Sequence, residues 1–220
     1  MTKTEVEKKT RRGFINAGLA AAAGVAGLEY ARRNELQQAF LGTNEKVARA
    51  YFSPKRLAKE FPTNQAAEPR PNGSHGLESD IDLNVWGVDL DGIHRLPKIE
   101  MVTELCCIEG WSQVVKWGGA RFADYTAKYA PKRTKYVGLA TPDEEYFVGL
   151  DIESAMHSQT LLCYEMNGSP LTSEHGAPLR LVIPVKYGIK NIKRIGTIRY
   201  SDERPQDFWA ERGYSWYAGL

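Results

Sequence analysis

Ile99-Glu100-Met101-Val102-Thr103-Glu104-Leu105-Cys106-Cys107-Ile108-Glu109-Gly110-Trp111-Ser112 is the stretch from which the rest of the chain is read. Ile99 to Ile108 is rich in β-formers, and Glu109-Gly110 favours a turn, so strand gives way to loop at Cys107. Neighbours in a strand point to opposite faces. One of Cys106 and Cys107 is therefore packed inside and the other presented elsewhere, and a thiol at a strand end lies where sites tend to be built. Taken alone, Cys107 still reads as an inert core thiol.

Outward from this stretch, short strands dominate. Tyr136–Ala140, Tyr146–Leu150, Leu161–Met166, Leu179–Ile183 and Ile192–Tyr200 carry strand patterns, and Asn167-Gly168 closes the third as a hairpin. Ile81 to Val88 alternates apolar and polar residues, as a half-buried strand does, and Asp89-Leu90-Asp91-Gly92 reads as a turn. Helices are expected at Arg121–Tyr129 and, for a turn or two, at Ile152–His157. A further helix is capped by Thr43 and runs through Ala50, and another starts at Ser53-Pro54 and ends near Phe61. Residues 62–80 form a loop rich in Pro, Gly and Asn. Strands and helices do not alternate regularly, so the class is α+β with a mainly antiparallel core and short helices.

Composition excludes more than it assigns. The chain has 220 residues, 42% hydrophobic and 25% charged, with a net charge of +2. Seven of its 29 Lys/Arg lie within residues 1–33, so the remainder is near neutral and lacks the basic face of a nucleic-acid binder. Three cysteines (Cys106, Cys107, Cys163) with no CxxC spacing fit neither a disulfide scaffold nor a common zinc site. At the amino terminus Lys8-Lys9-Thr10-Arg11-Arg12-Gly13-Phe14-Ile15-Asn16 precedes the apolar run Ala17–Leu28. This resembles a twin-arginine export signal, which implies a periplasmic protein, with the segment either removed or kept as an anchor.

Three more constellations bear on chemistry. His175-Gly176-Ala177-Pro178-Leu179-Arg180 brackets a tight turn with a His and an Arg. Lys186-Tyr187-Gly188-Ile189-Lys190-Asn191-Ile192-Lys193 sets three lysines around a Gly, a pattern able to wrap a phosphate. Asp202-Glu203-Arg204-Pro205 is followed by Phe208, Trp209, Tyr214, Trp216 and Tyr217, whose plainer role is packing. Each has an unremarkable reading alone, as a solvated turn, a basic loop or a packed edge.

Their order is specific. Cys-Ile-Glu-Gly-Trp-Ser, Tyr-Glu-Met-Asn-Gly, His-Gly-Ala-Pro-Leu-Arg, then Pro184 and Lys-Tyr-Gly-Ile-Lys-Asn-Ile-Lys resemble the sulfite oxidase-type molybdopterin family over residues 80–217. The nearest subgroup is that of the periplasmic protein-methionine-sulfoxide reductase catalytic subunits. The resemblance implies a molybdenum–molybdopterin-dependent oxidoreductase that moves an oxygen atom or electrons. It makes Cys107 the thiolate that binds the metal and the catalytic residue, and it sets Thr141, His175, Arg180, Asn191, Ile192 and Lys193 around the cofactor. No role for Cys106 follows from it. His175 stands where the reductase subgroup carries Asn and sulfite oxidases carry His, so the chain falls between them. The subgroup's Asn-Phe-Tyr-Glu-Phe element is missing, and Arg56–Asn64 is expected to replace it.

The resemblance also implies a small-molecule or sulfoxide-type substrate and a haem-containing membrane partner for electrons, and no nucleic acid. The organisation expected is a signal or anchor at 1–33, a helical and loop lead-in at 34–80, and a molybdopterin-binding domain at 81–220. Two other readings remain beside it. One is a partner-binding module that keeps the fold without catalysis; the other is a hydrolase with Cys107 as nucleophile and His175 as base.

Overall fold

The computed structural model describes residues 29–33, 35–68, 70–77, 86–131 and 133–220. The chain divides into two compact units, residues 1–44 and 45–220. In the first, residues 29–33 and 35–44 are helical. Thr43 does not cap this helix; its hydroxyl donates back to Ala39 O at 2.8 Å, an interior position. The export motif at 1–28 and most of the strand expected at 81–88 lie outside the described residues; Trp86, Gly87 and Val88 are not strand.

The second unit holds two antiparallel sheets. Its first hairpin pairs β1 (Lys98–Cys106) with β2 (Ser112–Arg121), in register from Lys98↔Ala120 to Cys106↔Ser112. Strand β2 also pairs with β5 (Leu161–Met166), which in turn pairs with both β6 (Ser169–Pro170) and β7 (Arg180–Val182). The second sheet has the order β4-β3-β8, from β3 (Tyr136–Ala140), β4 (Phe147–Asp151) and β8 (Thr197–Ser201). Among the described residues every strand pairing is antiparallel, as the α+β reading expected.

Alternation along β5 shows how the layers form. Leu162 and Tyr164 join the main core with Val137, Leu139, Val148, Leu150, Leu181 and Ile192. Leu161 and Cys163 point the other way, into a second cluster with Met101, Trp117 and Val182. The main core lies between the sheets, and the site is built where their loops meet.

Among the described residues the unit also holds the helical residues 45–51 and three short α-helices: α1 (Leu90–His94), α2 (Phe122–Tyr129) and α3 (Ile152–Ala155). The turn expected at Asp89–Gly92 is the start of α1, where the Asp89 carboxylate caps the Gly92 N–H at 2.7 Å. The helix expected from Ser53 to Phe61 does not form. Its backbone is claimed by tertiary partners: Ala58 N–H donates to Gln159 Oε1 (2.8 Å), Phe61 N–H donates to Val102 O (2.9 Å), and Glu60 bridges Thr103. Nucleating a short helix is costly, and covering the free edge of β1 returns more. The strand expected at Ile192–Tyr200 begins only at Thr197, because Ile192 and Ile195 are taken into the core.

Candidate functional site

The loop of the first hairpin is Cys107–Trp111. It is closed by Cys107 N–H donating to Trp111 O at 2.9 Å, and Gly110 turns it with φ +87°. Cys107 is thus the first residue past β1. It borders a cavity of ≈ 220 Å³, while Cys106 borders a different one on the opposite side. The Cys107 thiol donates to Glu109 Oε2 (3.8 Å) and accepts from Asn72 Nδ2 (3.7 Å). Trp111 Nε1–H also donates to Glu109, at 2.9 Å.

Of the seven residues named from the sequence, Cys107, His175, Arg180, Asn191 and Lys193 line this cavity. His175 ends a 3-10 turn, with Gly176 in the left-handed region (φ +95°) starting the run into β7. Arg180 opens β7 and is 4% exposed. Its guanidinium donates to His175 O (3.1 Å) and to Asn191 O (3.5 Å), and Trp117 lies 5.0 Å away. Its Nε–H has no partner among the described residues. Lys193 donates to Asn72 O (2.6 Å), Gly73 O (3.1 Å) and Glu174 O (2.8 Å).

Thr141 and Ile192 are not on the cavity wall. Thr141 Oγ1 donates to Asp143 (2.5 Å) and accepts from Tyr146 N–H (3.1 Å), and the Ile192 side chain sits in the main core. The three-lysine cluster also separates. Lys186 and Lys190 are buried, 3.8 Å from Asp151 and against Asp207 respectively, so of the three only Lys193 reaches the cavity. An ammonium costs too much to bury unpaired: Lys190 is held against a carboxylate, and burial lowers the Lys186 pKa to about 6 despite Asp151.

Electrostatics point one way. Burial lowers the His175 pKa, and the nearby Arg180 and Lys193 lower it further, so the ring is neutral at pH 7. Burial, then Arg180, brings Lys193 down to about 8. Burial likewise pulls Arg180 below its usual value. Cationic groups crowd one wall with no carboxylate paired to Arg180 among the described residues, which is an arrangement suited to an anion. Cys107 Sγ is bonded to Asn72 and Glu109 rather than to His175, so the nucleophile–base contact of a cysteine hydrolase is absent from the described residues.

Several walls were not anticipated. Residues 70–77 form a strap over the cavity, tied down by Arg70 N–H to Gln113 Oε1 (3.0 Å), by Lys193 and by Arg194 to Leu77 O (2.7 Å). Of Arg56–Asn64, expected to play this part, Arg56, Leu57, Ala58, Lys59 and Phe61 border the Cys106 cavity instead. Tyr146, Trp209 and Tyr214 form an aromatic side, and Arg70 covers the Trp111 ring at 4.8 Å. Trp209 and Tyr214 belonged to a cluster assigned to packing. The strap's Asn72-Gly73 carried only a turn signal.

Comparison with known proteins gives the following. Residues 79–209 match the family model described as oxidoreductase molybdopterin binding domain. A putative protein-methionine-sulfoxide reductase subunit YedZ1 of Azospira oryzae is 28% identical, covering 97% of this chain and 89% of that protein. A protein-methionine-sulfoxide reductase catalytic subunit MsrP of Xanthomonas campestris is 40% identical over 59% of this chain and 49% of that protein, so the chain spans about half of that relative. The crystal structure of sulfane dehydrogenase SoxCD from Paracoccus pantotrophus aligns at a TM-score of 0.48 and 19% identity, over 52% of this chain and 34% of that one.

Proposed function

Because the chain belongs to the oxidoreductase molybdopterin-binding domain family, we propose that it works on a sulfur centre, exchanging an oxygen atom at a sulfoxide, with molybdenum held by Cys107 Sγ. The observation that carries the site assignment is Arg180. It is a buried guanidinium with an unpartnered Nε–H, facing the same cavity as an available thiol. Molybdopterin offers a phosphate for the first and a metal for the second, so the residues present fit the group. When bound, it supplies two-electron oxygen-atom chemistry.

The chain's own residues do the rest. Arg180 and Lys193 bind the phosphate, with Asn191 shaping the loop between β7 and β8. Neutral His175 both donates and accepts hydrogen bonds towards the pterin. Cys107 offers a thiolate, a strong anionic donor that would hold the metal. Trp111, Trp209 and Tyr214 offer an apolar mouth for a methionine-like side chain, and aromatic edges favour the thioether sulfur that sulfoxide reduction leaves. The methionine-sulfoxide names of the relatives agree with that substrate class.

Electrons come from a separate haem-bearing membrane protein. Residues 1–33 act as a twin-arginine export segment to the periplasm, 34–80 as lead-in and 81–220 as the cofactor domain. No described helix is long and apolar enough to cross a membrane.

The test is metal and pterin content of chain expressed with a cofactor supply, with methionine sulfoxide reduction from an artificial one-electron donor. One molybdenum per chain is expected, and Cys107→Ser should lose both metal and turnover. A wild-type chain that never carries molybdenum refutes the reading.

A further inference from the structure

We propose that Lys190 and Asp207 are positioning residues, a buried ion pair holding two walls of the cavity, residues 188–193 and 207–214, in one fixed relation. The inference rests on the cofactor reading above. Neither residue touches the cavity, and their side chains are 1% and 2% exposed.

The pair is locked to strand β4 at one residue, Gly149. Lys190 Nζ donates to Asp207 and to Gly149 O (3.0 Å), while Gly149 N–H donates to the same Asp207 carboxylate (3.1 Å). The other Asp207 oxygen accepts Ala210 N–H at 3.1 Å. A Cβ on Gly149 would fall 2.8 Å from the Trp216 ring, so this point of the strand has no room to shift. From Lys190 the loop presents Ile189, Asn191 and Lys193 to the cavity; from Asp207 the chain presents Trp209 and Tyr214. The Tyr146 hydroxyl, on the same wall, donates to Ile189 O at 2.7 Å.

Stability alone gives no reason for the charges. An apolar pair of similar volume fills such a space without desolvating two ions, and often does so at equal or better stability. What the charges add is direction, since a charge-assisted bond fixes distance and angle where apolar contact does not.

The experiment compares wild type, Lys190→Met and the double variant Lys190→Met/Asp207→Leu for melting of the cofactor-free chain and for molybdopterin affinity. The single variant strands Asp207 and melts early. The double variant melts at or above wild type, yet binds the cofactor at least about 10-fold more weakly. A merely structural role would move melting and affinity together. Amide exchange of the cofactor-free double variant adds a readout that needs no loading: protection falls together in 188–193 and 207–214, while β1 and β2 keep theirs. A double variant that binds like wild type, one that fails to regain melting, or exchange that rises in one segment only, each overturns the proposal. If wild type takes up no molybdopterin, the functional reading fails and the exchange result alone judges the pair.

Discussion

Replacing Arg180 with Met should make the cofactor-free chain more stable. The guanidinium is 4% exposed, with one good hydrogen bond to His175 O (3.1 Å) and one at the limit, to Asn191 O (3.5 Å). An uncompensated buried charge costs about 3–5 kcal/mol. The good bond returns ~1.5 kcal/mol and the desolvated Trp117 face, 5.0 Å away, about 2 kcal/mol. Met fills the space without the charge's cost, so a net gain of up to about 1.5 kcal/mol is expected. For a domain of this size that is a rise of up to about 6 °C. Scanning calorimetry with a phosphate series completes the test. Phosphate at a hundredfold its Kd stabilises wild type by about 2.7 kcal/mol, and the Met variant shows no such response. A variant melting at or below wild type, with an unchanged phosphate effect, refutes the idea that Arg180 awaits an anion.

Two further outcomes follow from buried groups. Burial holds Lys186 down to about 6, with Lys190 and Arg49 adding to the effect and Asp151 and Glu45 opposing it. Between that value and the usual 10.5 the unfolded chain binds a proton that the folded chain does not. Stability therefore climbs with pH across this window, by up to about 1.4 kcal/mol per unit. Urea midpoints at pH 7 and pH 9 should show the climb in wild type and its loss in Lys186→Met; equal slopes would count against it. Gly76→Ala meets both a left-handed backbone (φ +72°) and the Thr141 side chain 2.3–2.7 Å from the new Cβ. The strap should lift at a cost of about 1–3 kcal/mol, detected as faster proteolysis within 70–77 and weaker cofactor retention; an unchanged cleavage rate would contradict the strap's close packing on Thr141.

Much of the sheet structure was legible because its signals are local. Asn167-Gly168 takes positive φ at both residues (52° and 82°) and closes β5 onto β6, as its residue types require. Tyr136–Ala140 is a strand over the span its β-formers suggested. Strand β2 escaped notice because Gly118-Gly119 and Lys116 dilute its pattern, and a register shift at Gly118/Gly119 lets it pair with β5. The stretch 53–61 reads as a helix only until the edge of β1 is known to need cover. At the site, residue types near Cys107, His175 and Arg180 carried information, whereas lysine spacing did not. Three lysines in eight residues look alike in sequence, and only the carboxylates of Asp151 and Asp207, brought in from distant segments, separate them.

Neither sheet owns the cavity. The five-stranded sheet contributes Cys107 at a hairpin tip and Arg180 at the start of β7, while the loop before β4, in the other sheet, contributes Tyr146. The cavity's walls come together only when both sheets are in place, because residues 188–193 run from β7 in one sheet towards β8 in the other. On the proposed reading, uptake of the cofactor would act as a proofreading event for the fold, since only a chain with its two sheets docked presents a complete cavity.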